Sequence, residues 1–570
     1  MQSLIIALLF IIGLTGCARG SDEQPQPVTM LDRSALDSLS VPDWVYGTWY
    51  EIVPDRLWNG DPTNDPTVES LVGATRGYSP ELLTSANWTI RAWGSPWYGV
   101  TPWERAVNQD FYEVVELRRY GGDIAGIVHR LPYLDSLGVR VLNFSGVADG
   151  PSILKFDAEN WHHVDRHLGP DPQADAEQMA GEDFGDPESW GTTQADRAWH
   201  RLLETVHQKG YSVVIDVRLA DLLEDTSGDG RPAELTHAVL HRWLDPDGNG
   251  DFSDGVDGFR LVDAGTHDPE LVADIRLAVK SVNTQAVLVG DVNWSEGNTL
   301  APLDAYLNGP LDAVTNHYLF REARALLAHP SEYGSLEAFV QTVDSVFAAR
   351  TTAQQAALLS VIGTHNTPRA VTSLQNYRIP YYTDTSPREY DRYLIFKPNQ
   401  AAQFALRNTL VLQFTLPGVP ILFYGEEAGM WGANYPDNVK PMVWPDVQYD
   451  EEVFHPRNRL RPPDPVAVND GQLDFFRRVV RFRNAYNDVL THGSINWMIA
   501  DNDRPVLAYE RVLGQRRVVV AMSIAHDETS VTFEELGLPP DAETSVQGVA
   551  IVEDGRIDFG AKGVVVFAEG

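Results

Sequence analysis

A transition from helix to strand near residue 137 places the strongest limit on how this chain folds. Apolar residues recur at helical spacing from Ile124 to Leu137, and a β-branched stretch, Val139–Phe144, follows at once. A helix that leads directly into a buried strand is typical of α/β folds. Similar units are predicted downstream, with strands at Tyr211–Ala220, Gly255–Ala264 and Ala286–Val292 and helices at Glu234–Leu244 and Pro269–Val282. The sequence therefore predicts an α/β protein.

Length limits the number of domains, and charge limits the classes of binding partner. The 570 residues are enough for one large domain and a smaller one. Against 44 Lys and Arg residues stand 80 Asp and Glu residues, which gives a formal net charge of −36. A surface of this sign repels polyanions, which argues against nucleic acid and against anionic membrane surfaces as partners.

The single cysteine, Cys17, excludes a disulfide framework and a cysteine-based metal site. It closes a short apolar run, Leu4–Leu14, through the sequence Leu-Thr-Gly-Cys, which resembles a bacterial lipoprotein signal. A short membrane anchor is the alternative, although the run is too brief to cross a bilayer. We predict a signal peptide over residues 1–17, lipid on Cys17, and a flexible linker over residues 18–43. The mature protein is then lipid-anchored on the periplasmic or extracellular face of the cell envelope.

Five stretches match, in order, the strand motifs of one family. They read WVYGTWYEIVPDRLWNGDPTND, YSVVIDVRLA, GVDGFRLVDA, LLSVIGTHNTPR and GVPILFYGEEAGMW. These stretches resemble the first, third, fourth, seventh and eighth strand motifs of the α-amylase family, glycoside hydrolase family 13. The resemblance implies a (β/α)8 TIM barrel over residues 44–492, with a short or missing inserted B domain. Short alternating strands from about Ser494 predict a C-terminal β-sandwich over residues 493–570.

The catalytic positions implied by the resemblance are mostly substituted. In the family's fourth strand, written G-x-R-x-D, the nucleophilic Asp follows Arg by two residues, but here Arg260 is followed by Val262 and then by Asp263. Successive strand side chains point to opposite faces, so we expect Asp263 to face the helices. The resemblance places Asp291 at the general acid/base position, where the family has Glu, and Asn366 at the third carboxylate. Together these changes predict lost hydrolysis.

Part of the sugar-binding set is kept. The resemblance implies substrate-binding roles for Phe156, Asp216, Arg260 and His365. Other family positions carry residues that lack the expected contacts to sugar hydroxyls, namely Leu154, Ala220 and Asp221. A purely structural alternative is that the retained polar residues form a buried ion-pair network at the barrel mouth.

Three histidines of the second βα loop, His162, His163 and His167, suggest a metal site at first sight. The family has polar residues in this loop without a transition metal, so we interpret them as surface histidines.

An acidic loop provides oxygen ligands at alternate positions. Asp245, Asp247, Asn249 and Asp251, with Gly250 sixth, resemble the start of an EF-hand, and Asp225–Gly230 is a weaker match. Neither loop supplies a Glu at the twelfth position. We predict structural calcium in the second loop and no organic cofactor, with a solvated acidic turn as the alternative.

Three functional hypotheses stay open. The first is a lipoprotein of α-glucan metabolism that binds α-glucan or maltooligosaccharide without efficient cleavage. The second is an active retaining α-glycosidase that uses Asp263 and Asp291, which requires their carboxyls to converge. The third is a structural or assembly subunit without sugar binding, for which we expect a blocked barrel mouth and a large exposed apolar patch elsewhere.

Overall fold

The computed structural model describes residues 30–36, 38–227, 233–292 and 301–569. The predicted signal peptide, Cys17 and the first part of the linker lie outside the described residues, as does the end of the first acidic loop. Among the helices of the described ranges, none is both long enough and apolar enough for a bilayer crossing.

Eight parallel strands close into a barrel, which confirms the predicted fold. The barrel strands are β1 (Trp49–Ile52), β2 (Val141–Phe144), β5 (Ser212–Val217), β6 (Gly258–Leu261), β7 (Val287–Gly290), β8 (Ala313–Asn316), β9 (Leu358–Val361) and β10 (Val419–Phe423). Closure comes from β1, which pairs with both β2 and β10. The strands are buried along almost their whole length because helices cover the outside of the barrel.

Helices occupy most of the connections between strands. They are α1 (Arg33–Leu36), α2 (Pro80–Ser85), α3 (Pro102–Val107), α4 (Phe111–Val114), α5 (Ile124–Leu137), α6 (Pro172–Met179), α7 (Gln194–Gln208), α8 (Leu219–Ser227), α9 (Glu234–Leu244), α10 (Pro269–Val282), α11 (Ala301–Leu307), α12 (Tyr318–Ala328), α13 (Pro330–Tyr333), α14 (Leu336–Phe347), α15 (Thr352–Ala356), α16 (Ala370–Gln375), α17 (Gln400–Thr415), α18 (Asp470–Ala485) and α19 (Asn487–His492). Short 3-10 helices lie at Asp43–Tyr46, Pro54–Arg56, Glu69–Leu71, Val115–Leu117, Arg166–Leu168, Pro187–Ser189, Phe252–Asp254 and Ala264–Thr266.

Local signals fix several of these ends. Helix α5 has the predicted bounds because Asp123 accepts a hydrogen bond from the Gly126 N–H at its start, and Gly138 ends it in the left-handed conformation. The third barrel strand is shorter than predicted. It stops at Val217 because α8 begins at Leu219, so Ala220 is helical and exposed rather than part of a strand.

The connection from β5 to β6 is short, as predicted. Its described residues form α8, α9 and the 3-10 helix Phe252–Asp254, with no strand among them. The part of the connection that the structure describes thus contains no inserted β-rich domain.

Strands after α19 form two antiparallel sheets, which confirms the C-terminal β-sandwich. The first contains β13 (Ser494–Asp501), β14 (Val506–Leu513), β15 (Arg516–Ser523), β20 (Val564–Glu569) and β17 (Thr544–Gln547). The second contains β16 (Thr529–Thr532), β19 (Arg556–Phe559) and β18 (Ala550–Glu553). Two hairpins stand apart from both layers, β3 (Ala148–Asp149) with β4 (Asn160–Val164), and β11 (Glu452–His455) with β12 (Arg459–Asp464).

Candidate active site

Arg260 is the centre of a buried polar network near the carboxyl ends of the barrel strands. Its Nε and Nη2 donate to the two oxygens of Asp216, at 2.7 and 2.6 Å. The register places Asp216 of β5 beside Arg260 of β6, so this bidentate pair forms between neighbouring strands. Asn143 of β2 donates a further hydrogen bond to Asp216 (2.8 Å). The retained family residues therefore form the ion pair that the structural alternative describes.

Glu51 of β1 completes this network, and it is not among the site residues predicted from the sequence. Its Oε2 accepts from Arg260 Nη1 (2.8 Å), and its Oε1 lies 2.7 Å from Nδ1 of His365. Burial alone would raise the pKa of Glu51, but the charges of Arg260 and His365 hold it below its usual range. A signal was present, because Glu51 is the one charged residue in the apolar strand Trp49–Ile52. Glu51, Asp216, Arg260 and His365 are called the mouth network below.

Asp263 lies outside the mouth network, as expected, but strand β6 ends at Leu261 and Asp263 belongs to the turn that follows it. Its Oδ1 accepts from the Leu219 N–H (2.8 Å) and its Oδ2 from the Ala220 N–H (2.9 Å), so it caps the N-terminus of α8. His267 Nε2 lies 2.9 Å from the same carboxylate. Burial would raise the pKa of Asp263, but the bonds from His267 and the two backbone N–H groups lower it.

Asp291 has partners of its own after strand β7. Its Oδ1 accepts from the Thr315 hydroxyl (2.6 Å) and lies 3.3 Å from His317 Nε2. Burial opposes its ionisation, yet the adjacent His317 holds the pKa of Asp291 below its usual range. The described contacts of Asp263 and Asp291 share no side chain, so the hydrogen bonds give no support to a converged carboxyl pair.

The positions that correspond to the family's nucleophile and third carboxylate, Val262 and Asn366, have no acidic side chain. Val262 is an aliphatic side chain and is 7% exposed. Asn366 is exposed and uses its backbone N–H to bond the Thr364 hydroxyl (3.1 Å). Phe156 lies against His365, with ring centroids 5.4 Å apart in an edge-to-face contact, and Leu154 is half-buried nearby in sequence.

The mouth network is closed to solvent. Asp216 is 3%, Arg260 1% and His365 1% exposed. Their burial leaves little room for the approach of a sugar ring, because a ligand pocket must expose the groups that contact the ligand. A cleft of about 520 Å³ lies elsewhere, between the first and second βα loops, and its lining includes Asp65, Glu69, Asp149, Glu159 and Arg166.

Three oxygen and nitrogen atoms of the mouth network are close enough to be considered as metal ligands. One atom each from Glu51, Asp216 and His365 lie within 4.8 Å of one another. The guanidinium of Arg260 already lies between both carboxylates, however. The position between the two carboxylates is therefore occupied by a guanidinium rather than open to a metal ion.

The prediction that the histidines of the second βα loop lie on the surface is wrong. His162 is 3% and His163 0% exposed, and His167 is half-buried with Nδ1 2.8 Å from the Asn64 carbonyl oxygen. Strand β4 packs against α7 and α9, and it carries His162 and His163 into this buried layer, which sequence spacing alone does not reveal.

The predicted calcium loop folds as a tight turn. Asp247 Oδ1 accepts from the Asn249 N–H (3.2 Å), and Asn249 Oδ1 accepts from the Asp251 N–H (2.5 Å). Asp245 is 6% exposed, and its Oδ1 has no hydrogen-bond partner among the described residues. Burial and the neighbouring Asp247 raise the pKa of Asp254 to about 6. This concentration of negative charge fits a bound cation as a charge partner.

The chemistry available at the mouth differs from that of a retaining glycosidase. Such an enzyme needs a nucleophile and an acid/base, about 5–5.5 Å apart, that both face the substrate. Here the nucleophile position is Val262, and the carboxylates of Glu51 and Asp216 are bound to Arg260. Both are in place to hold a charge network and neither is free to attack an anomeric carbon.

Comparison with known proteins gives relatives over most of the chain, although no family model matches it. Neopullulanase 2 of Thermoactinomyces vulgaris is 24% identical over 538 residues, which cover 87% of this chain and 72% of that protein. The amylopullulanase of Thermoanaerobacter thermohydrosulfuricus is 24% identical over 551 residues, and the match spans only 33% of that protein. Among solved structures, the cyclic α-maltosyl-(1→6)-maltose hydrolase of Arthrobacter globiformis superposes with a TM-score of 0.59 at 18% identity, covering 93% of this chain and all of that one. This likeness supports the barrel-and-sandwich fold.

Proposed function

Because the chain belongs to the α-amylase family, we propose that it is a non-hydrolytic member, a lipoprotein of α-glucan metabolism that binds α-glucan or maltooligosaccharide without efficient cleavage. One observation supports the proposed loss of hydrolysis. The charge of Arg260 is matched by Glu51 and Asp216, whereas the position two residues after it is Val262. A barrel mouth arranged in this way cannot form a covalent glycosyl intermediate at the family's nucleophile position.

The substrate class rests on the relatives. Neopullulanase, amylopullulanase and the maltosyl-maltose hydrolase carry names that refer to α-glucans or to maltose units. An α-glucan is therefore the ligand class to test first. The envelope location rests on the Leu-Thr-Gly-Cys sequence ending at Cys17, and structural calcium rests on the Asp245–Asp251 loop with its unpartnered buried oxygen.

The alternative of an active glycosidase built on Asp263 and Asp291 has less support. Asp263 is engaged by the N-terminus of α8 and by His267. Removing it from those partners would leave two backbone N–H groups without an acceptor, which costs free energy. The shifted-nucleophile scheme would require that rearrangement in every catalytic cycle.

The burial of the mouth network favours a second candidate, a structural or assembly subunit that binds no sugar there. Asp216 and His365 are the retained sugar-contact positions, and both are nearly inaccessible. In this case the barrel serves as a rigid scaffold, and the partner is a protein.

Two measurements on the full chain separate these functions. A sensitive assay for reducing ends on starch, pullulan and maltooligosaccharides should show no release above background, and a calorimetric titration with maltooligosaccharides should show binding. Turnover that Asp263→Ala or Asp291→Asn abolishes would overturn the non-hydrolytic proposal. Absence of both turnover and binding would favour the assembly subunit.

A further inference from the structure

A buried cluster outside the barrel mouth brings two imidazoles and a carboxylate to one point. Nε2 of His162 lies 3.1 Å from Glu182 Oε2, and Nε2 of His163 lies 2.7 Å from the same oxygen. The three candidate ligand atoms lie within 4.8 Å of one another. We propose that His162, His163 and Glu182 form a binding site for a divalent transition metal ion of the Zn²⁺ class.

The surroundings of His163 place negative charge on both sides of its ring. Its Nδ1 lies 2.6 Å from Asp196 Oδ2, and its Nε2 faces Glu182 Oε2. Because a carboxylate only accepts hydrogen bonds, Nε2 and Oε2 are joined either by a second proton on His163 or by a metal ion between them. The metal-binding experiment below separates these two states.

Two of the three proposed ligands, His163 and Glu182, are oriented by hydrogen bonds to their other polar atoms. Asp196 orients His163, and the arrangement of carboxylate, histidine and metal recurs in zinc proteins. Glu182 uses its other oxygen to accept from the Gly191 N–H (2.9 Å) and the Gln178 amide (3.2 Å). Oε2 of Glu182 is thereby directed at the two histidines.

Apart from the contact of its Nε2 with Glu182, the His162 ring is held by packing. The ring stacks on Trp190 at 4.5 Å and on Phe184 at 5.3 Å between centroids. Arg242 Nε donates to the His162 carbonyl oxygen (2.6 Å), which anchors the strand. Within the described ranges, Nδ1 of the buried His162 has no hydrogen-bond partner. The ring therefore presents Nε2 to the cluster with little rotational freedom.

The separations suit a tetrahedral ion. Bonds of about 2.0–2.1 Å to nitrogen and oxygen imply distances of roughly 3.3 Å between ligand atoms. The contact of Glu182 with His162 is 3.1 Å and its contact with His163 is 2.7 Å, so metal binding requires the first to lengthen slightly and the second to lengthen by about half an ångström. Imidazole and carboxylate ligands together favour Zn²⁺ over Ca²⁺ or Mg²⁺, which prefer all-oxygen sites.

The assignment is tested by zinc titration of the full chain. The protein is first stripped of metal with a chelator and is then kept in excess Ca²⁺, which fills all-oxygen sites. Elemental analysis should find that wild type retains about one more zinc per chain than Glu182→Gln, whose zinc affinity should fall by at least ~100-fold. The exposed neighbour Glu188 gives the matched control, and Glu188→Gln should bind as wild type does. Bound Co²⁺ should show the intense visible absorption of a four-coordinate ion.

A substitution of Asp196, which orients His163, should reduce the zinc affinity less than loss of a ligand does. Asp196→Asn should weaken zinc binding by about 10–100-fold without removing a ligand. If Glu182→Gln melts well below wild type in the metal-free state, His162→Gln replaces it as the ligand deletion. Equal zinc content in wild type, both ligand variants and Glu188→Gln would overturn the proposal, as would a six-coordinate Co²⁺ spectrum. The cluster would then be held by a second proton on His163.

Discussion

Nη1 of Arg260 and Oε2 of Glu51 lie 2.8 Å apart inside the closed barrel, although the two residues are 209 positions apart in the chain. In the family's motif a carboxylate follows the Arg by two residues, and here that position is Val262. The first strand thus supplies one of the two negative charges that Arg260 contacts. This pairing gives the buried Arg260 a second carboxylate partner although the family's nucleophile position is Val262, and it explains how the Arg can be kept without the family's motif.

Replacing Glu51 should weaken folding strongly. Glu51→Gln leaves Arg260 buried with one carboxylate instead of two, and breaking a buried ion pair costs about 3–5 kcal/mol. Urea unfolding of the variant measures the loss. The matched control is Asp391→Asn, because Asp391 pairs with Arg459 at 3.1 Å while both side chains are more than half exposed. That exposed pair should contribute less than about 1 kcal/mol. Equal effects of both changes would contradict a structural role for Glu51.

Asp263→Ala should destabilise the protein by about 1–2 kcal/mol at neutral pH, the usual loss for an N-terminal helix cap. The pKa of Asp263 is lowered in the folded protein, so its contribution is present above the ordinary Asp pKa of about 3.9 and is lost as the pH falls through the folded value. The difference between wild type and variant should therefore shrink in acid, as measured by denaturant unfolding across pH. Asp503→Ala, at an exposed position, should show no comparable difference.

Restoring the family's catalytic groups should return little activity. The variant combines Val262→Asp, Asp291→Glu and Asn366→Asp and leaves Asp263 in place, because Asp263 caps α8. Groups that act as a unit are non-additive, so partial repair yields little rate. The mouth stays closed, and Glu51 still engages Arg260. Reducing-end release from maltooligosaccharides measures the outcome, with Glu51→Gln added to the repaired chain as the companion variant. Robust hydrolysis by the first variant would show that three side chains alone account for the loss.

Calcium should raise the melting temperature if the Asp245–Asp251 loop binds it. An ion that binds only the folded state adds about 2.7 kcal/mol at a hundredfold excess over its Kd. Thermal melting with Ca²⁺ and with a chelator measures the effect, and Asp245→Asn should reduce it. Asp527→Asn, in an exposed turn of the sandwich, serves as the control. Melting that a chelator leaves unchanged would identify the loop as a plain acidic turn.

Cys17→Ser should release the protein from the membrane fraction, because lipid can no longer be attached at that position. Fractionation with detection of the chain measures this, and Ser3→Ala, in the same segment, is the control. A Cys17→Ser protein that sediments with membranes as wild type does would argue for another mode of attachment.

Much of the fold follows from local sequence. Helices α5, α9 and α10 have the predicted bounds because apolar spacing is a short-range pattern, and Asp123 and Asp268 mark two of the starts. These features depend on neighbours within a few residues, so the sequence alone determined them.

Tertiary structure decided the rest of the site. Glu51 meets Arg260 and His365 only because β1 closes the barrel between β2 and β10. His162 and His163 are adjacent in a strand, where alternation would separate them, yet both reach Glu182. The burial of these groups also depends on layers that pack from distant parts of the chain. Contacts of this kind arise from strand register and helix packing over tens to hundreds of residues, and no local period in the sequence encodes them.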